Sequence, residues 1–499
     1  MELSVLLLNR TVNYTVDMAR QDLFQVGPIV AVTIALLLAM IADLVLPKGA
    51  RRTAAGALTV LGFVGALLAD ALLYNNGRSA YHGFATGDNF AVYFHAFFAI
   101  LGLLTVAASH AYLHRREFLT SEFYVLLLAA TAGMMVLGSS TSLVSIFLGL
   151  ELLSVSLYIL AGYARRDTAS QEAGTKYLLM GGFASAFVAY GMALLYGGSG
   201  TTLIPEIARR VTADSSSNPI LLLGVILIGI GFAFKVSAAP FQMWTPDVYQ
   251  GSPIVVTAFM SVGTKAAAFA MILRVFDSGL PGLAPQWQAL LAFTAAASMV
   301  VGNLGAIVQT SIKRLLAYSG IAQAGYILIG VLAGHSDGQG AVLFYLFGYL
   351  VMNFGAFAVV IALSGPEGDL DRMSDLNGLG HRRPWLGVAL TVFMFSLAGF
   401  PPSVGFIGKF FLFAAGVAHG FTWLVVLAVL MSVASVYYYV RVVVHIWTPA
   451  EKRAWPRLTS GTALAVAITG VLSLAIGIYP VVLYLIAQAG AQPVAAGGG

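Results

Sequence analysis

The chain has 499 residues, of which 59% are hydrophobic and only 9% are charged, which excludes a water-exposed globule because soluble proteins carry about 25% charged residues. The absence of cysteine excludes disulfides, thiolate nucleophiles and cysteine-ligated iron–sulfur clusters in this chain. The formal net charge of +5 does not indicate nucleic-acid binding, because the basic residues concentrate in short loops between apolar segments.

Apolar segments bounded by charged residues, Gly or Pro follow one another along the whole chain. Since about 20 apolar residues cross a hydrocarbon layer of ~30 Å, these segments predict about fourteen membrane spans. The N-terminal sequence MELSVLLL lacks the basic start and the cleavage site of a secretory signal, so we expect insertion through internal spans. The spans are predicted at 27–47, 53–74, 89–110, 121–139, 142–164, 173–196, 219–239, 253–276, 286–309, 316–334, 340–364, 385–417, 421–446 and 461–487.

The Lys and Arg residues predict the orientation in the membrane. Most of the 26 lie in loops that follow odd-numbered spans, and few lie on the opposite side. Because basic loops stay in the cytoplasm, both termini are predicted on the non-cytoplasmic side.

Two spans are interrupted by proline. The seventh contains Pro240 shortly after Lys235, and the twelfth contains Pro401 and Pro402 after Gly399. Proline removes a backbone donor and clashes with the preceding turn, so broken helices are predicted at both places. The breaks lie five spans apart, and a five-helix unit used twice must be inverted in the membrane because five is odd. We therefore predict an all-α polytopic membrane protein with about 14 transmembrane helices and two inverted five-helix repeats.

The predicted domains follow from this spacing alone, because sequence identity between the two units is weak. Residues 1–120 hold an N-terminal segment and three spans, and residues 121–276 hold the first repeat, spans 4–8. Residues 277–446 hold the second repeat, spans 9–13, and residues 447–499 hold the last span and a tail.

Four ionisable residues lie at membrane depth in the predicted spans: Glu151, Lys235, Lys265 and Lys409. Each charge at the centre of a bilayer costs about 2.5–3.5 kcal/mol on insertion scales, which favours a functional role. A desolvated lysine can accept and release a proton, and a nearby carboxylate keeps it protonated. Glu151 near Lys235 is therefore predicted to form a switchable pair, from which a proton passes through water to Lys265 and then to Lys409. The alternatives are a structural Glu151–Lys235 ion pair and lysines that extend to a membrane interface.

Other ionisable residues have simpler interpretations. Asp43 and Asp70, near span ends, are expected to be solvated at the interface, and His95 is expected to be a packing histidine. Lys313 and Arg314 are expected chiefly to set the topology. The sequence has no Walker, metalloprotease or dinucleotide-binding motif, so no catalytic or metal site is predicted in this chain.

Four stretches of the sequence resemble the antiporter-like subunits of respiratory complex I, and the resemblance extends over essentially the whole chain. The stretch that begins at Lys235 is highly specific to that wider family. The four stretches are ELLSVSLYILAGY from Glu151, KVSAAPFQMWTPDVYQGSP from Lys235, KRLLAYS from Lys313 and GFPPSVGFIGK from Gly399.

The resemblance implies a fourteen-helix bundle with broken helices 7 and 12, and it implies proton-relay roles for Glu151, Lys235, Lys265 and Lys409. Lysine rather than glutamate at position 409 is similar to subunits N and L, and the absence of a long lateral helix after span 14 favours subunit N. Gln323 departs from the family, in which a histidine often follows Ser-x-Ile-Ala. Because a neutral amide cannot carry a proton, an ionisable link at this position is in doubt.

The resemblance also implies a function within an assembly. The chain is expected to be a proton-translocating subunit of a bacterial NADH:quinone oxidoreductase, which is a translocase, in the inner membrane with other membrane subunits as partners. NADH, FMN, iron–sulfur clusters and quinone are expected in partner subunits, and no redox centre is expected in this chain. The competing hypothesis is a subunit of a multi-subunit cation/proton antiporter without redox activity.

Overall fold

The computed structural model describes residues 17–117, 120–450 and 455–491. The remaining residues, which include the ends of the first and last predicted domains, lie outside these ranges. The described chain is mainly helical, with a small antiparallel hairpin of strands Ser79–Ala80 and Ala85–Thr86 between the second and third spans.

Twelve of the described helices are long and apolar enough to cross a membrane, and two further spans are each divided into two shorter helices. Together they make fourteen spans, so the predicted fold class is confirmed. The long spans are 1 (Gly27–Val45), 2 (Ala50–Leu73), 3 (Asn89–Arg115), 4 (Ser121–Ser139), 5 (Leu143–Ala161), 6 (Thr168–Ser199), 8 (Ile254–Ser278), 9 (Pro281–Ile307), 10 (Ile312–Ala333), 11 (Ser336–Leu363), 13 (Thr422–Trp447) and 14 (Ser460–Ile478). The divided spans are 7a (Pro219–Lys235) with 7b (Trp244–Gly251), and 12a (Pro384–Ala398) with 12b (Val404–Ala418). Short helices lie at Ile204–Arg210, Leu379–Arg382 and Val481–Ala491, and 3-10 turns at Tyr81–Gly83, Ala213–Ser217 and Met373–Leu376.

The helix breaks lie where the prolines predict them. Helix 7a ends at Lys235, and the connection to 7b contains Pro240. Helix 12a ends at Ala398, where Gly399 takes a φ of +92°, and Pro401 and Pro402 separate it from 12b. Each break leaves the last carbonyl groups of a half-helix without partners in their own helix, so other donors must satisfy them.

The fourteenth span is shorter than predicted. The sequence predicts one span over 461–487, but the helix ends at Ile478 and a separate helix, Val481–Ala491, follows. Pro480 lies between the two and cannot donate the backbone hydrogen bond that would continue the first helix. The separate helix packs against spans 3 and 11.

Span 8 runs through the centre of the bundle. Its apolar segment is 100% buried and those of spans 10 and 11 are 94% buried, against 22% in span 1. Span 8 contacts spans 5 and 7a as well as spans 10 and 11, and helix 12b contacts spans 10 and 11. The helices that carry the four predicted site residues are therefore connected through the core. The inverted repeats and the domain boundaries remain predictions.

Candidate functional site

Lys235 is the last residue of helix 7a, and its side chain points at span 5. Its Nζ donates a hydrogen bond to Ser154 Oγ at 2.7 Å and lies 3.5 Å from Tyr158 Oη. Lys235 is only 3% exposed, so these hydroxyls and the Tyr158 ring, whose centroid lies 5.6 Å from Nζ, replace the water that an ammonium requires.

Glu151 lies on the same face of span 5, one turn before Ser154 and two turns before Tyr158. Among the described residues its buried Oε1 atom has no hydrogen-bond partner, and Lys235 Nζ bonds Ser154 Oγ rather than the Glu151 carboxylate. The two predicted partners, Glu151 and Lys235, therefore lie on facing helices, and the Ser154 hydroxyl rather than the Glu151 carboxylate contacts the lysine.

Lys265 is fully buried near the middle of span 8. Its Nζ donates to the carbonyl oxygen of Val236 at 2.9 Å, the residue directly after helix 7a. Span 10 leaves room for this side chain at Gly320, where an added Cβ would lie 3.2 Å from Lys265 Cε and 3.0 Å from Tyr349 Oη. Lys265 therefore contacts the first helix break directly.

Lys409 occupies the corresponding position at the second break. From helix 12b its Nζ donates to Ala398 O at 2.9 Å, to Leu397 O at 3.3 Å and to Ser432 Oγ at 2.9 Å. The Tyr326 ring centroid lies 4.9 Å from the same Nζ. Both lysines are thus held at the C-terminal end of a half-helix, where the helix dipole favours a positive charge.

A line of polar contacts joins the surroundings of Lys265 and Lys409. Gln323 donates to Leu397 O at 3.2 Å, the carbonyl that Lys409 also contacts, and lies 3.3 Å from Tyr439 Oη. Tyr345 donates to Gln323 Oε1, and Tyr439 contacts Ser319, the neighbour of Gly320. The line therefore passes through Gln323, the position at which the sequence departs from the subunits that it resembles.

Several buried hydroxyls near Lys265 lack hydrogen-bond partners among the described residues. They include Ser237, next to Val236, and the tyrosines Tyr249 and Tyr349. An unpaired buried polar group costs about 1–3 kcal/mol, so these atoms mark a polar interior rather than a closed apolar core.

A polar cavity of about 410 Å³ opens at the end of the bundle beside helix 7b. Asp247 on helix 7b pairs with Lys176 at 3.1 Å and with Arg314 at 2.7 Å. Lys313 pairs with Asp369 at 3.0 Å and donates to Ser252 O at 2.8 Å. Lys313 and Arg314 belong to span 10, and their ion pairs and hydrogen bonds hold helix 7b and the residue after it against that span. The sequence predicts only a role in topology for these two residues.

The remaining predicted features have the following places. Pro240, Pro401 and Pro402 lie in the connections of the two broken helices, and the three prolines themselves are exposed. Asp70 is not solvated as predicted, because it is 3% exposed and pairs with His95 at 3.2 Å. No group of three or more His, Asp or Glu residues suited to a metal ion occurs in the part of the chain that the structure describes.

Sequence reasoning missed Ser154, Tyr158 and Ser432, which contact the lysines directly. The positions of Ser154 and Tyr158 relative to Glu151 give a signal for the first two, because residues three and seven positions apart share a helix face. Ser432 lies on span 13 and no pattern in the sequence connects it to Lys409.

Comparison with known proteins identifies the family. The family described as "NADH:quinone oxidoreductase/Mrp antiporter, TM" matches residues 140–436. NADH-quinone oxidoreductase subunit N of Trichlorobacter lovleyi is 46% identical over 435 residues, which cover 86% of this chain and 89% of the relative. This chain belongs to the NADH-quinone oxidoreductase subunit N family. Subunit N of Chloroflexus aggregans is 40% identical and covers 94% of this chain and 96% of its own.

Solved structures agree with membership of the subunit N family. A chain of respiratory complex I from Thermus thermophilus with bound aureothin superposes with a TM-score of 0.80 at 35% identity, over 92% of this chain and 99% of its own. A chain of the Mrp complex from Dietzia has the same fold, with a TM-score of 0.81, over 94% of this chain and 97% of its own. Its identity is only 21%, so that likeness extends to the fold alone.

Proposed function

We propose that this chain is the proton-translocating membrane subunit, of the N type, of a bacterial NADH:quinone oxidoreductase. One observation carries the proposal. Lys265 and Lys409 are buried, each is held by backbone carbonyls at the end of a broken helix, and polar contacts through Gln323 join their surroundings.

The three buried lysines are the proton-holding groups. Carbonyl and hydroxyl oxygens around each Nζ stabilise its protonated form, and loss of these contacts favours release of the proton. Because Val236 O and Ala398 O belong to the ends of half-helices, a small movement of helix 7a or 12a changes the hydrogen bonds of Lys265 or Lys409. The breaks thereby couple a movement of the backbone to the binding and release of protons.

Glu151 supplies a negative charge near Lys235, the first of the three buried lysines. A direct contact with Lys235 holds the proton on Nζ, whereas the contact with Ser154 leaves Nζ with a neutral acceptor. The two arrangements differ only in side-chain position, so Glu151 and Lys235 act as a switch for the lysines that follow.

Protons reach Lys265 from the cavity beside helix 7b. The predicted topology places this end in the cytoplasm, and the acidic side chains that line the cavity outnumber the basic ones by six to three, a surplus that attracts protons. The unpaired hydroxyls of Tyr249 and Tyr349 lead from this end toward Lys265, and water between them completes the path.

The redox chemistry belongs to partner subunits of the complex, which bind NADH, FMN, iron–sulfur clusters and quinone. This chain contributes proton movement, packs against other membrane subunits and lies in the bacterial inner membrane with both termini on the non-cytoplasmic side. The enzyme is therefore the assembly, a translocase, and this chain holds no redox centre.

The first test is mild solubilisation of native membranes, capture of this chain and an assay of the eluate for NADH:quinone reductase activity. Co-elution of the activity with partner chains supports the proposal. Capture with membrane partners alone and without NADH oxidation favours a cation/proton antiporter, and sodium exchange is then measured.

The second test compares Lys265→Ala with Arg209→Ala, a control at an exposed site outside the line. We expect both variants to assemble and Lys265→Ala alone to abolish NADH-driven proton pumping. Normal pumping in Lys265→Ala contradicts the proposed role of the lysines.

A further inference from the structure

Asp70, His95 and Ser139 meet inside the bundle, away from the buried lysines. They come from spans 2, 3 and 4 and are 3%, 0% and 1% exposed. His95 Nδ1 lies 3.2 Å from Asp70 Oδ1, and His95 Nε2 lies 2.7 Å from Ser139 Oγ and 3.2 Å from Met135 O. Both ring nitrogens of His95 therefore have polar partners from neighbouring spans.

The Nδ1 side of His95 must hold a hydrogen atom. Two lone pairs repel each other at 3.2 Å, so a proton lies between Nδ1 and Asp70 Oδ1, on one atom or the other. With the proton on Nδ1, Asp70 fixes the tautomer of the imidazole, as carboxylates do behind functional histidines. Nε2 is then free to accept a second proton.

The Nε2 side can bind and release a proton without losing its hydrogen bond. A hydroxyl donates or accepts by rotating about its C–O bond. Ser139 donates to Nε2 when that atom is unprotonated, and a protonated Nε2 donates to Ser139 Oγ or to Met135 O. The contact with Ser139 therefore suits both protonation states, whereas Met135 O, which can only accept, favours the protonated one.

The site lies close to one end of the bundle. Asp70 lies in the last turn of span 2, and Ser139 is the last residue of span 4. A polar cavity of about 750 Å³, lined by residues that include Gln25, Asn75 and Arg78, begins directly after span 2. The predicted topology places this end on the non-cytoplasmic side, opposite the cavity beside helix 7b.

Among the described residues, the end of span 8 adds one ion pair near this site. Arg274, at the end of span 8, donates to both carboxylate oxygens of Asp88 at 2.7 Å and to Gly138 O at 3.1 Å, beside Ser139. Span 1 has no ionisable residue before Asp43, which lies at its other end. Asp70 Oδ2 is buried and has no partner among the described residues.

We propose that Asp70, His95 and Ser139 form a second proton-binding site, at which a proton from the non-cytoplasmic side binds reversibly to His95 Nε2. The lone pair of Nε2 forms an N–H bond with a proton delivered by water, and the Ser139 hydroxyl turns from donor to acceptor. The Asp70 carboxylate balances the imidazolium charge, and no electron is transferred. The inference rests on the proposed function, because turnover of the complex is what delivers protons to that side.

The test uses inverted membrane vesicles that contain the assembled complex, whose lumen corresponds to the non-cytoplasmic side. The initial rate of NADH-driven proton uptake is measured at several luminal pH values, set by a trapped buffer, at constant external pH. We expect the wild-type rate to follow a single titration with luminal pH, and His95→Gln, which cannot bind the proton, to abolish that titration. Asp70→Asn removes the balancing charge, which weakens proton binding at Nε2 and displaces the midpoint of that titration.

A matched control and a mild variant separate this role from packing. His110→Gln changes a histidine of the same span whose Nδ1 contacts Tyr124 Oη, and it leaves the titration unchanged. Ser139→Ala removes one oxygen and no charge, so it assembles and still shifts the midpoint. A wild-type rate without titration, an unchanged midpoint in Ser139→Ala, or equal effects of His95→Gln and His110→Gln overturns the proposal.

The same vesicles distinguish failure of this site from failure of the proposed function. Loss of pumping in Lys265→Ala together with an unchanged titration in His95→Gln overturns the second site alone. Normal pumping in Lys265→Ala together with a lost titration in His95→Gln overturns the lysine relay and leaves the second site in place.

Discussion

Gln323 and Lys409 donate hydrogen bonds to the same backbone oxygen, Leu397 O, from Nε2 at 3.2 Å and from Nζ at 3.3 Å. This oxygen belongs to the last turn of helix 12a, which the break leaves without donors of its own. A movement of either side chain therefore changes the hydrogen bonding of the other. The neutral amide of Gln323 therefore shares an acceptor with Lys409, although the amide itself cannot bind or release a proton.

Gln323→Leu is expected to lower NADH-driven proton pumping about tenfold, because it leaves the hydroxyls of Tyr345 and Tyr439 without this partner at a cost of about 1–3 kcal/mol. Gln323→His, which can donate and accept, is expected to keep most of the pumping and to add a pH dependence near neutrality. The measurement is the pH gradient formed per NADH oxidised in membrane vesicles. Gln288→Leu, which removes a contact to Leu332 O outside the line, serves as the control. Equal pumping in Gln323→Leu and Gln288→Leu contradicts the role of Gln323.

The contact of Ser154 with Lys235 gives a second prediction. Ser154→Ala removes the closest acceptor of Lys235 Nζ, so we expect a several-fold loss of pumping with normal assembly. Ser156→Ala is the matched control, because the Ser156 hydroxyl bonds Leu152 O within its own helix. Pumping is measured in vesicles, and assembly by native electrophoresis. The prediction is wrong if both serine variants pump alike.

Glu151→Gln is expected to lower coupled pumping more than it lowers assembly. The amide keeps the size of the side chain and removes the charge that acts on Lys235. Proton pumping and the amount of assembled complex are measured in the same membranes. Wild-type pumping in Glu151→Gln would refute the switch between Glu151 and Lys235.

Gly320→Ala tests the close packing around Lys265. The new Cβ would lie 3.2 Å from Lys265 Cε and 3.0 Å from Tyr349 Oη, so one of these side chains must shift. We expect about a twofold to tenfold loss of pumping, since small displacements of proton-holding groups are costly. Gly182→Ala has nothing within 4 Å of its Cβ and is expected to pump normally, with stability raised by about 0.5–1 kcal/mol. Proton pumping and thermal stability are measured for both variants. Equal pumping in Gly320→Ala and Gly182→Ala contradicts the claim that close packing around Lys265 is required for pumping.

The sequence predicts the spans and their breaks because those features are local. Twenty apolar residues in a row require a membrane, and Pro240 and Pro401 prevent continuous helices where they stand. Pro480 also separates two helices, span 14 and the helix that follows, although the apolar composition of 461–487 predicts one span. Composition outweighed a single proline in that prediction.

The contacts of the charged residues were not predictable, because they join helices far apart in the chain. Ser154 and Lys235 are separated by 81 positions, and Asp70 and His95 by 25 positions across a loop. Hydrophobic periodicity and hydropathy describe one helix at a time, and they do not show how neighbouring helices are rotated relative to one another. The burial of Lys265 and Lys409 follows from their apolar sequence surroundings, whereas the carbonyls that hold them depend on how each broken helix is placed.

Replacement of Lys409 separates proton holding from packing. Three oxygens surround its Nζ, those of Leu397, Ala398 and Ser432, so the position requires a hydrogen-bond donor. Lys409→Glu can meet this requirement only as the protonated acid, which donates one hydrogen bond and can release its proton. We therefore expect Lys409→Glu to retain more pumping than Lys409→Ala and to lose it as the pH rises and the acid deprotonates.

Lys409→Gln is the control for this comparison, because an amide donates to the same carbonyls but cannot release a proton. NADH-driven pumping of the three variants is measured from pH 6 to pH 8, a range in which acids and bases at buried sites commonly titrate. If Lys409→Gln pumps as well as Lys409→Glu, the residue serves only as a donor to helix 12a. If Lys409→Glu and Lys409→Ala lose pumping equally at every pH, a proton-holding role for position 409 is refuted, because the acid restores what alanine lacks.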